Sequence, residues 1–390
     1  MQACKFILRD DSTTWKNLLP LTYTRPISGI RIGIDTIQEK WEFFLNQSVE
    51  IATEAYLLSK FENRQPDAEK VIEINSAVLP NQALVELVLA LQPGKRLEKA
   101  GLSIAHCFAE GEAIPIETPI DVTTINYPWD IFKLNHLVLQ QDFERITAGR
   151  TSQPIDASNR VKHPENVFIE EGGSAEFSIL DASKGPIYIG KDATIMAGSI
   201  VQGGLALCEG ATLKLGTKHY GTSTLGPHSK FGGEFSNVVV QGYSNKGHEG
   251  FLGNAVLGEW CNLGADTNAS NLKNNYGFVR VWNYVEERFM HTEEQFCGLI
   301  MGDHSKAGIN TMFNTATVVG VAANIFGAGY PKKFLPSYTW GGVDFHRTFT
   351  LNKVFEMAEA MMSRRKVPLT DADKTILTHI FETTKPYRKD

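Results

Sequence analysis

From Ile189 to Lys218 the chain reads IGKDAT IMAGSI VQGGLA LCEGAT LKLGTK. Ile189, Ile195, Val201, Leu207 and Leu213 each follow the previous one by six residues. The register returns at Phe251, Leu257 and Leu263, and again at Met301, Ala307, Phe313, Val319 and Ile325. Small residues often follow the apolar one, as in Ile189-Gly190, Leu257-Gly258 and Met301-Gly302. A period of six is neither the 3.6 of an amphipathic helix nor the 2 of a half-buried strand. It fits a chain wound into coils, with each apolar residue pointing into a narrow interior and small residues turning the corners. A glycine-rich β-sandwich would need thirteen such positions to align by accident. The spacing predicts a parallel β-helix.

Outside this stretch the composition changes. Of the 34 glycines, 6 lie in residues 1–150 and 28 between Gly172 and Gly342. Residues 1–127 carry mixed α/β signals: Phe6-Ile7-Leu8 and Val71-Ile72-Glu73-Ile74 as strands, and Gln82 to Leu91 as a helix stopped by Pro93-Gly94. Pro128-Trp129-Asp130 opens a helix with Ile131, Leu134 and Val138 on one face, closing at Gly149. The expected order is therefore an α/β domain over 1–127, a linker helix over 128–150, a β-helix over 151–345 and a helical tail over 346–390. In the tail, Thr370 and Asp373 stand at capping-box spacing. Met357, Met361 and Met362 are expected to pack rather than form a functional patch.

The chain has 390 residues, with 38 basic against 44 acidic side chains and a net charge of −6. That balance argues against a general nucleic-acid binder. No apolar run approaches the ~20 residues of a membrane span. Phe6-Ile7-Leu8 is cut short by Arg9-Asp10-Asp11, too early for a signal peptide, so a cytoplasmic location is expected. The five cysteines (Cys4, Cys107, Cys208, Cys261, Cys297) are scattered without a C-x-x-C pair, which suggests neither a disulfide framework nor a zinc site. No metal ligands are assigned.

Chemistry-bearing residues gather in Ser244-Asn245-Lys246-Gly247-His248, Phe251-Leu252-Gly253-Asn254, Cys261-Asn262-Leu263-Gly264-Ala265-Asp266 and Ser270-Asn271-Leu272. This stretch resembles the bifunctional UDP-N-acetylglucosamine diphosphorylase/glucosamine-1-phosphate N-acetyltransferase family, in a divergent form. The family pattern runs S-K-A-G-H-L-x-Y-L-G-D-A, then N-I-G-A-G-T, then N-Y-D-G. The resemblance implies that His248 is the catalytic base and that Asn262 and Asn271 contact sugar phosphate or acetyl donor. It puts Ala265 near the acyl group, and Lys246 falls in the same motif as a substrate-binding candidate. Leu213-Lys214-Leu215-Gly216-Thr217 is similar to the family's L-R-P-G-T, which places Lys214 at a phosphate-binding position. The family's architecture further implies a left-handed β-helix, a homotrimer and acetyl-CoA as donor. Lys214, Lys218 and Lys230 are readable either as a solvated face or as the cations that a coenzyme A pyrophosphate or sugar phosphate needs nearby, with Lys214 the one favoured.

The departures are specific. Leu272 and Phe251 replace family tyrosines, and Lys246 precedes His248 by two residues rather than three. The glycine-rich triphosphate loop L-A-A-G-x-G-T-R-M has no counterpart, because Leu8 to Thr14 contains no glycine to let backbone N–H groups close on a phosphate. Leu19-Pro20-Leu21-Thr22-Tyr23-Thr24-Arg25-Pro26 resembles the segment after that loop, with Arg25 either a phosphate ligand or part of a structural turn. Asn75 and Pro80-Asn81 stand where the family keeps a metal-binding aspartate.

Acetyl transfer from a thioester to an amine needs a base for the amine proton, and histidine titrates near neutrality. Three functions are thus expected in competition. The first is an acetyl-CoA-dependent N-acetyltransferase acting on an amino-sugar phosphate. The second adds uridylyl transfer from UTP with Mg2+ in the first domain. The third is a non-catalytic β-helix scaffold that binds a sugar nucleotide. His219, His228 and His304 lack motif support and are expected to be structural.

Overall fold

The computed structural model describes residues 4–343 and 345–388; residues 389–390 of the expected tail lie outside them. The chain divides into two compact units, Met1–Leu18, Thr24–Ile30 and Asp35–Tyr127 in the first, and Leu19–Tyr23, Arg31–Ile34 and Pro128–Asp390 in the second. The segment 1–127 is therefore interrupted twice by short stretches that belong with the β-helix.

The first unit is a six-stranded mixed sheet. Its strands are β1 (Cys4–Arg9), β2 (Glu50–Ala52), β3 (Lys70–Asn75), β4 (Lys95–Lys99), β5 (Leu102–Cys107) and β6 (Ile114–Glu117), in the order β2-β1-β3-β5-β4-β6. β1 pairs in parallel with β2 and β3, whereas β5 runs antiparallel to β3 and β4. Alternation sends Phe6, Leu8, Ile72 and Ile74 into the core. The helices are α1 (Ser12–Asn17), α2 (Ile37–Leu45), α3 (Leu58–Phe61) and α4 (Gln82–Ala90). Thr36 and Glu39 form a capping box at the start of α2, and Asn81 caps α4 through Leu84 N. Trp41 on α2 is fully buried and donates from Nε1 to Val78 O at 2.9 Å.

The second unit is a left-handed parallel β-helix with helices laid against it. Ile187 pairs with Leu205 and Leu205 with Ser223, a step of one eighteen-residue coil each time. The next steps are shorter, Thr224 to Val239 and Val239 to Val256, and then one is long, Val256 to Ile300. Every residue of the six-residue register is buried except Phe251. On that strand Leu252 points inward instead, paired with Phe235. The shortened coils slide the register by one, and in a strand one residue exchanges the two faces.

The long step accommodates an excursion carrying an antiparallel hairpin, Arg280–Asn283 with Arg288–His291. Trp282 of the hairpin stacks on Phe334 at 4.2 Å, and Tyr284 meets Tyr23, Phe334 and Tyr387 edge-on.

One corner of the β-helix repeats a left-handed backbone conformation. Gly210, His228, Tyr243, Trp260, His304, Ala322 and Tyr338 all have φ between 53° and 62°. The amide of each donates to a carbonyl one coil back, as His228 N to Glu209 O and Trp260 N to Gly242 O. The side chains therefore stack. His228 lies 5.2 Å from Tyr243, Tyr243 4.2 Å from Trp260, and Trp260 6.4 Å from His304. Gly210 ends the column because a Cβ there would strike the His228 ring at 2.4 Å.

The segment expected as a linker forms α5 (Pro128–Thr147), which runs along the β-helix and clamps Arg31–Ile34. Asn135 Oδ1 accepts from Gly33 N at 2.8 Å and Asp142 Oδ2 from Ile34 N at 2.7 Å. Thr224 Oγ1 donates to Gly33 O at 2.7 Å. The tail forms α6 (Leu351–Ser363) and α7 (Asp371–Thr383), the latter with the Thr370–Asp373 capping box. Ala358 and Met362 of α6 pack on Trp260, and the Tyr338 hydroxyl donates to Leu377 O of α7 at 2.6 Å. All five cysteines are free, and four are buried.

Candidate active site

The aromatic corner and the β-helix face beside it build a groove within the second unit. Three rows of residues, each repeated on successive coils, supply its floor. Asn245 pairs with Asn262 and Asn262 with Lys306. Tyr243 and Trp260 form the second row, and His248, Ala265 and Ile309 the third, linked through Asp266 N to Glu249 O and Asn310 N to Ala265 O. Helix α6 supplies the facing wall with Met357, Ala360, Met361 and Arg364, the i, i+3, i+4, i+7 stripe of one helix face. The volume of the groove is about 940 Å3.

Four expected site residues line this groove: His248, Lys214, Asn262 and Ala265. His248 sits exposed on a coil corner, and its ring makes no hydrogen bond to a described residue. Lys214 follows a strand on the same face as Asn245 and Asn262, with its amide donating to Phe231 O at 2.7 Å.

Lys246 does not face the groove. Strand alternation turns it inward, in the row of Phe231 and Leu263, and it is 1% exposed. Its ammonium donates to Gly232 O and His248 O, both at 3.0 Å. Burial pushes its pKa down to about 8, against the opposing pull of Glu249 and Asp266. Its position makes it a brace beneath the His248 corner rather than a substrate ligand.

Asn271 also lies elsewhere. It donates from Nδ2 to Asn254 Oδ1 at 2.9 Å and so stacks one coil above Asn254, off the His248 row. The nine residues from Asn262 to Asn271 equal one and a half hexads, which carries Asn271 onto another face of the coil.

The sequence reading missed the Tyr243–Trp260 floor and the whole of the α6 wall; Lys230, left between a solvated face and a phosphate cation, lines the groove. The i, i+3, i+4, i+7 stripe of α6 was visible, but nothing local names the surface it covers. Met361 and Met362 pack as expected, and Met357 and Met361 also line the groove. Of the unassigned histidines, His219 is buried with Phe235 at 4.9 Å, and neither ring nitrogen meets a described partner. Burial pushes its imidazole down to about 3. His228 and His304 belong to the stacked corner.

In the first unit, Asp10 closes the carboxyl end of β1. It accepts from Ile27 N at 3.2 Å and from the Thr53 hydroxyl at 2.6 Å, and burial raises its pKa to about 6. Asp11 caps α1 through Thr14 N at 2.8 Å. Asn75 is tied to Ser103 O and Ala77 N. Arg25 is 4% exposed. Both carboxylates accept from backbone amides, and no group of three or more His, Cys, Asp or Glu among the described residues is disposed to bind a metal.

Residues 6–151 match the family model for sugar nucleotidyl transferases. The match falls on the half where the sequence showed the weaker resemblance. No curated protein matches the chain. Among solved structures, the polySia-specific acetyltransferase NeuO is 11% identical over 49% of this chain and 79% of its own, with a TM-score of 0.28. LpxA, a UDP-N-acetylglucosamine acyltransferase from Bacteroides fragilis, is 16% identical over 58% and 96%, at 0.27. AntD, an N-acyltransferase from Bacillus cereus solved with dTDP and 3-hydroxybutyryl-CoA, is 12% identical over 54% and 87%, at 0.25. At scores this low the fold rests on the strand register, not on these likenesses.

Proposed function

We propose that the β-helix half is an N-acetyltransferase that moves an acetyl group from acetyl-CoA to the amine of an amino-sugar phosphate, of the glucosamine 1-phosphate kind. The observation that carries the reading is the convergence of His248, Lys214, Asn262 and Ala265 on one groove. In this reading the amine attacks the thioester carbonyl while His248 takes its proton. The C–N bond forms as the C–S bond breaks, and the imidazolium returns a proton to the departing thiolate. Asn262 offers an amide donor to the developing oxyanion or a sugar hydroxyl. Lys214 supplies a cation for a substrate phosphate, and the small Ala265 leaves room for the acetyl methyl. Lys246, through the His248 carbonyl, sets the corner from which the ring projects.

The protein acts as a homotrimer in this reading. Phe177, Ile179, Ile200 and Leu215 leave apolar surface on the β-helix exterior, and Ile309, in the His248 row, is 72% exposed. No helix among the described residues is long and apolar enough to cross a membrane.

Thiol release from acetyl-CoA with glucosamine 1-phosphate tests the reading. His248→Ala is expected to lower kcat about a thousandfold, the middle of the range for loss of a general base. Equal rates in both proteins would remove His248 from the chemistry, and no turnover with any amino sugar would favour the scaffold. The family match over residues 6–151 supports a second activity, uridylyl transfer from UTP to N-acetylglucosamine 1-phosphate, read as pyrophosphate release.

A further inference from the structure

The charge lining the groove is one-sided. Lys214, Lys230, Lys306, Arg364 and Arg365 contribute to it, and no Asp or Glu does. Lys306 is already engaged, donating to the carbonyls of Trp260 and His304. The other four form no ion pair with a described residue. They come from three places: Lys214 and Lys230 from successive coils, and the Arg364–Arg365 pair from the C-terminal end of α6. Burial lowers the pKa of Lys230, and Arg365, Lys214 and Arg364 lower it further, so the four charges feel one another. Glu209 and Glu259 are near enough to help raise the pKa of Tyr243, yet neither lines the groove.

A helix C-terminus attracts a cation through its dipole, which accounts for an arginine at the end of α6. It does not account for two lysines brought up against that end from the β-helix. Like charges gathered without a carboxylate raise the energy of the empty site, and an anion of matching charge reverses the sign. The helix is also fixed in place. Arg365 donates to His228 O at 3.4 Å, and Ala358 and Met362 sit on Trp260. Beside the cations, Met357, Met361, Leu263 and the Tyr243–Trp260 stack offer an apolar wall for an organic group attached to the anion.

We propose that Arg364 and Arg365 of the tail helix, with Lys214 and Lys230 of the β-helix, form a binding site for the pyrophosphate of a pyrophosphate ester. The assignment rests on the reading of the groove as the acyl-transfer site, and it gives the C-terminal tail a role in holding ligand. Two arginines present forked donors suited to phosphate oxygens, while the lysines add compact charge. Coenzyme A and a sugar nucleotide both carry this group, and the groove is open to either.

Titration calorimetry on the full chain tests it with four probes: coenzyme A, dephospho-coenzyme A, UDP-N-acetylglucosamine and inorganic pyrophosphate. The variants are Arg364→Ala/Arg365→Ala and, to keep the packing and charge, Arg364→Lys/Arg365→Lys, with Lys230→Ala beside them. At least one ester is expected to bind, with Kd weakened about tenfold or more in the double alanine variant and partly restored in the double lysine variant. Binding of coenzyme A alone identifies the donor as occupant; binding of the sugar nucleotide alone makes a sugar nucleotide, not a sugar 1-phosphate, the ligand of the site. Inorganic pyrophosphate is expected to compete with whichever ester binds. Failure of every probe to bind the wild type, or an unchanged Kd in both double variants, overturns the site. The two readings fail separately. Ligand binding lost with the arginines but no amine acetylated leaves the anion site and removes the acetyltransferase. Acetylation with an unaltered KM in both arginine variants does the opposite.

Discussion

The two halves of the chain use sequence differently. In the β-helix a strand pairs with the strand one coil on, as Ile187 does with Leu205, so neighbours in space are near neighbours in sequence. In the α/β unit β1 pairs with β3 through Cys4 and Lys70, across most of the unit. A short repeat therefore writes the first architecture into every six residues, whereas the second depends on closing long loops. The difference shows in how each half is held. The β-helix interior is a column of similar aliphatic residues, and the α/β unit leans on individual side chains such as Trp41, buried and hydrogen-bonded to Val78 O.

That contrast can be broken experimentally. Trp41→Ala removes a large buried ring and its hydrogen bond, and is expected to cost about 4 kcal/mol, read as a shift of the denaturant midpoint for the first unit. A loss below about 1 kcal/mol would mean that the unit does not depend on single anchors.

Among the exceptions to the aliphatic column is the buried His219. Its folded pKa of about 3 lies below the unfolded value, so its contribution is full above pH 6.5 and falls as protons bind the unfolded chain. By pH 5 this costs about 2 kcal/mol. His219→Leu should flatten the fall in stability between pH 6.5 and 5, and an identical pH profile in the variant would show that the buried imidazole is not its source.

Lys246→Met sharpens the comparison further, because it restores an apolar residue to the interior row. Relief of the buried ammonium offsets the loss of a donor to two carbonyls, so the melting temperature should move by only a few degrees. The corner beneath His248 loses its brace, and acetylation is expected to fall about tenfold in kcat with KM unchanged. A fall in melting temperature with kcat intact would make Lys246 purely structural. The smallest effect is expected at Thr36→Ala, which removes the α2 cap for about 1 kcal/mol, measured by thermal unfolding of the first unit.

Legibility in the sequence followed the same divide. The hexad marked the coils from Ile189 to Ile325 and erred only at Phe251, where a shortened coil moved Leu252 inward. Period alone says where strands stack, not how many residues each corner spends. The motif around His248 located the groove, but its lysine fell on an inward position and Asn271 on another face. Such errors come from reading a linear motif without the alternation of the strand that carries it. Tyr243 and Trp260 could have been flagged by their step of seventeen residues, one short coil. Arg364 and Arg365 could not, since only the docking of α6 on Trp260 brings them to Lys230. In the first unit β1, β3 and α4 were readable from local pattern, yet Leu19–Tyr23 and Arg31–Ile34 gave no sign of belonging with the second half.

The excursion between Leu272 and Phe296 has a consequence for how this architecture tolerates change. Those two residues bridge at its base and Val256 pairs directly with Ile300, so the stack is continuous beneath the hairpin and owes it none of its strand hydrogen bonds. A segment seated this way can lengthen, shrink or exchange its tip while the turns above and below keep their phase, which makes it a natural place for the chain to acquire new surface.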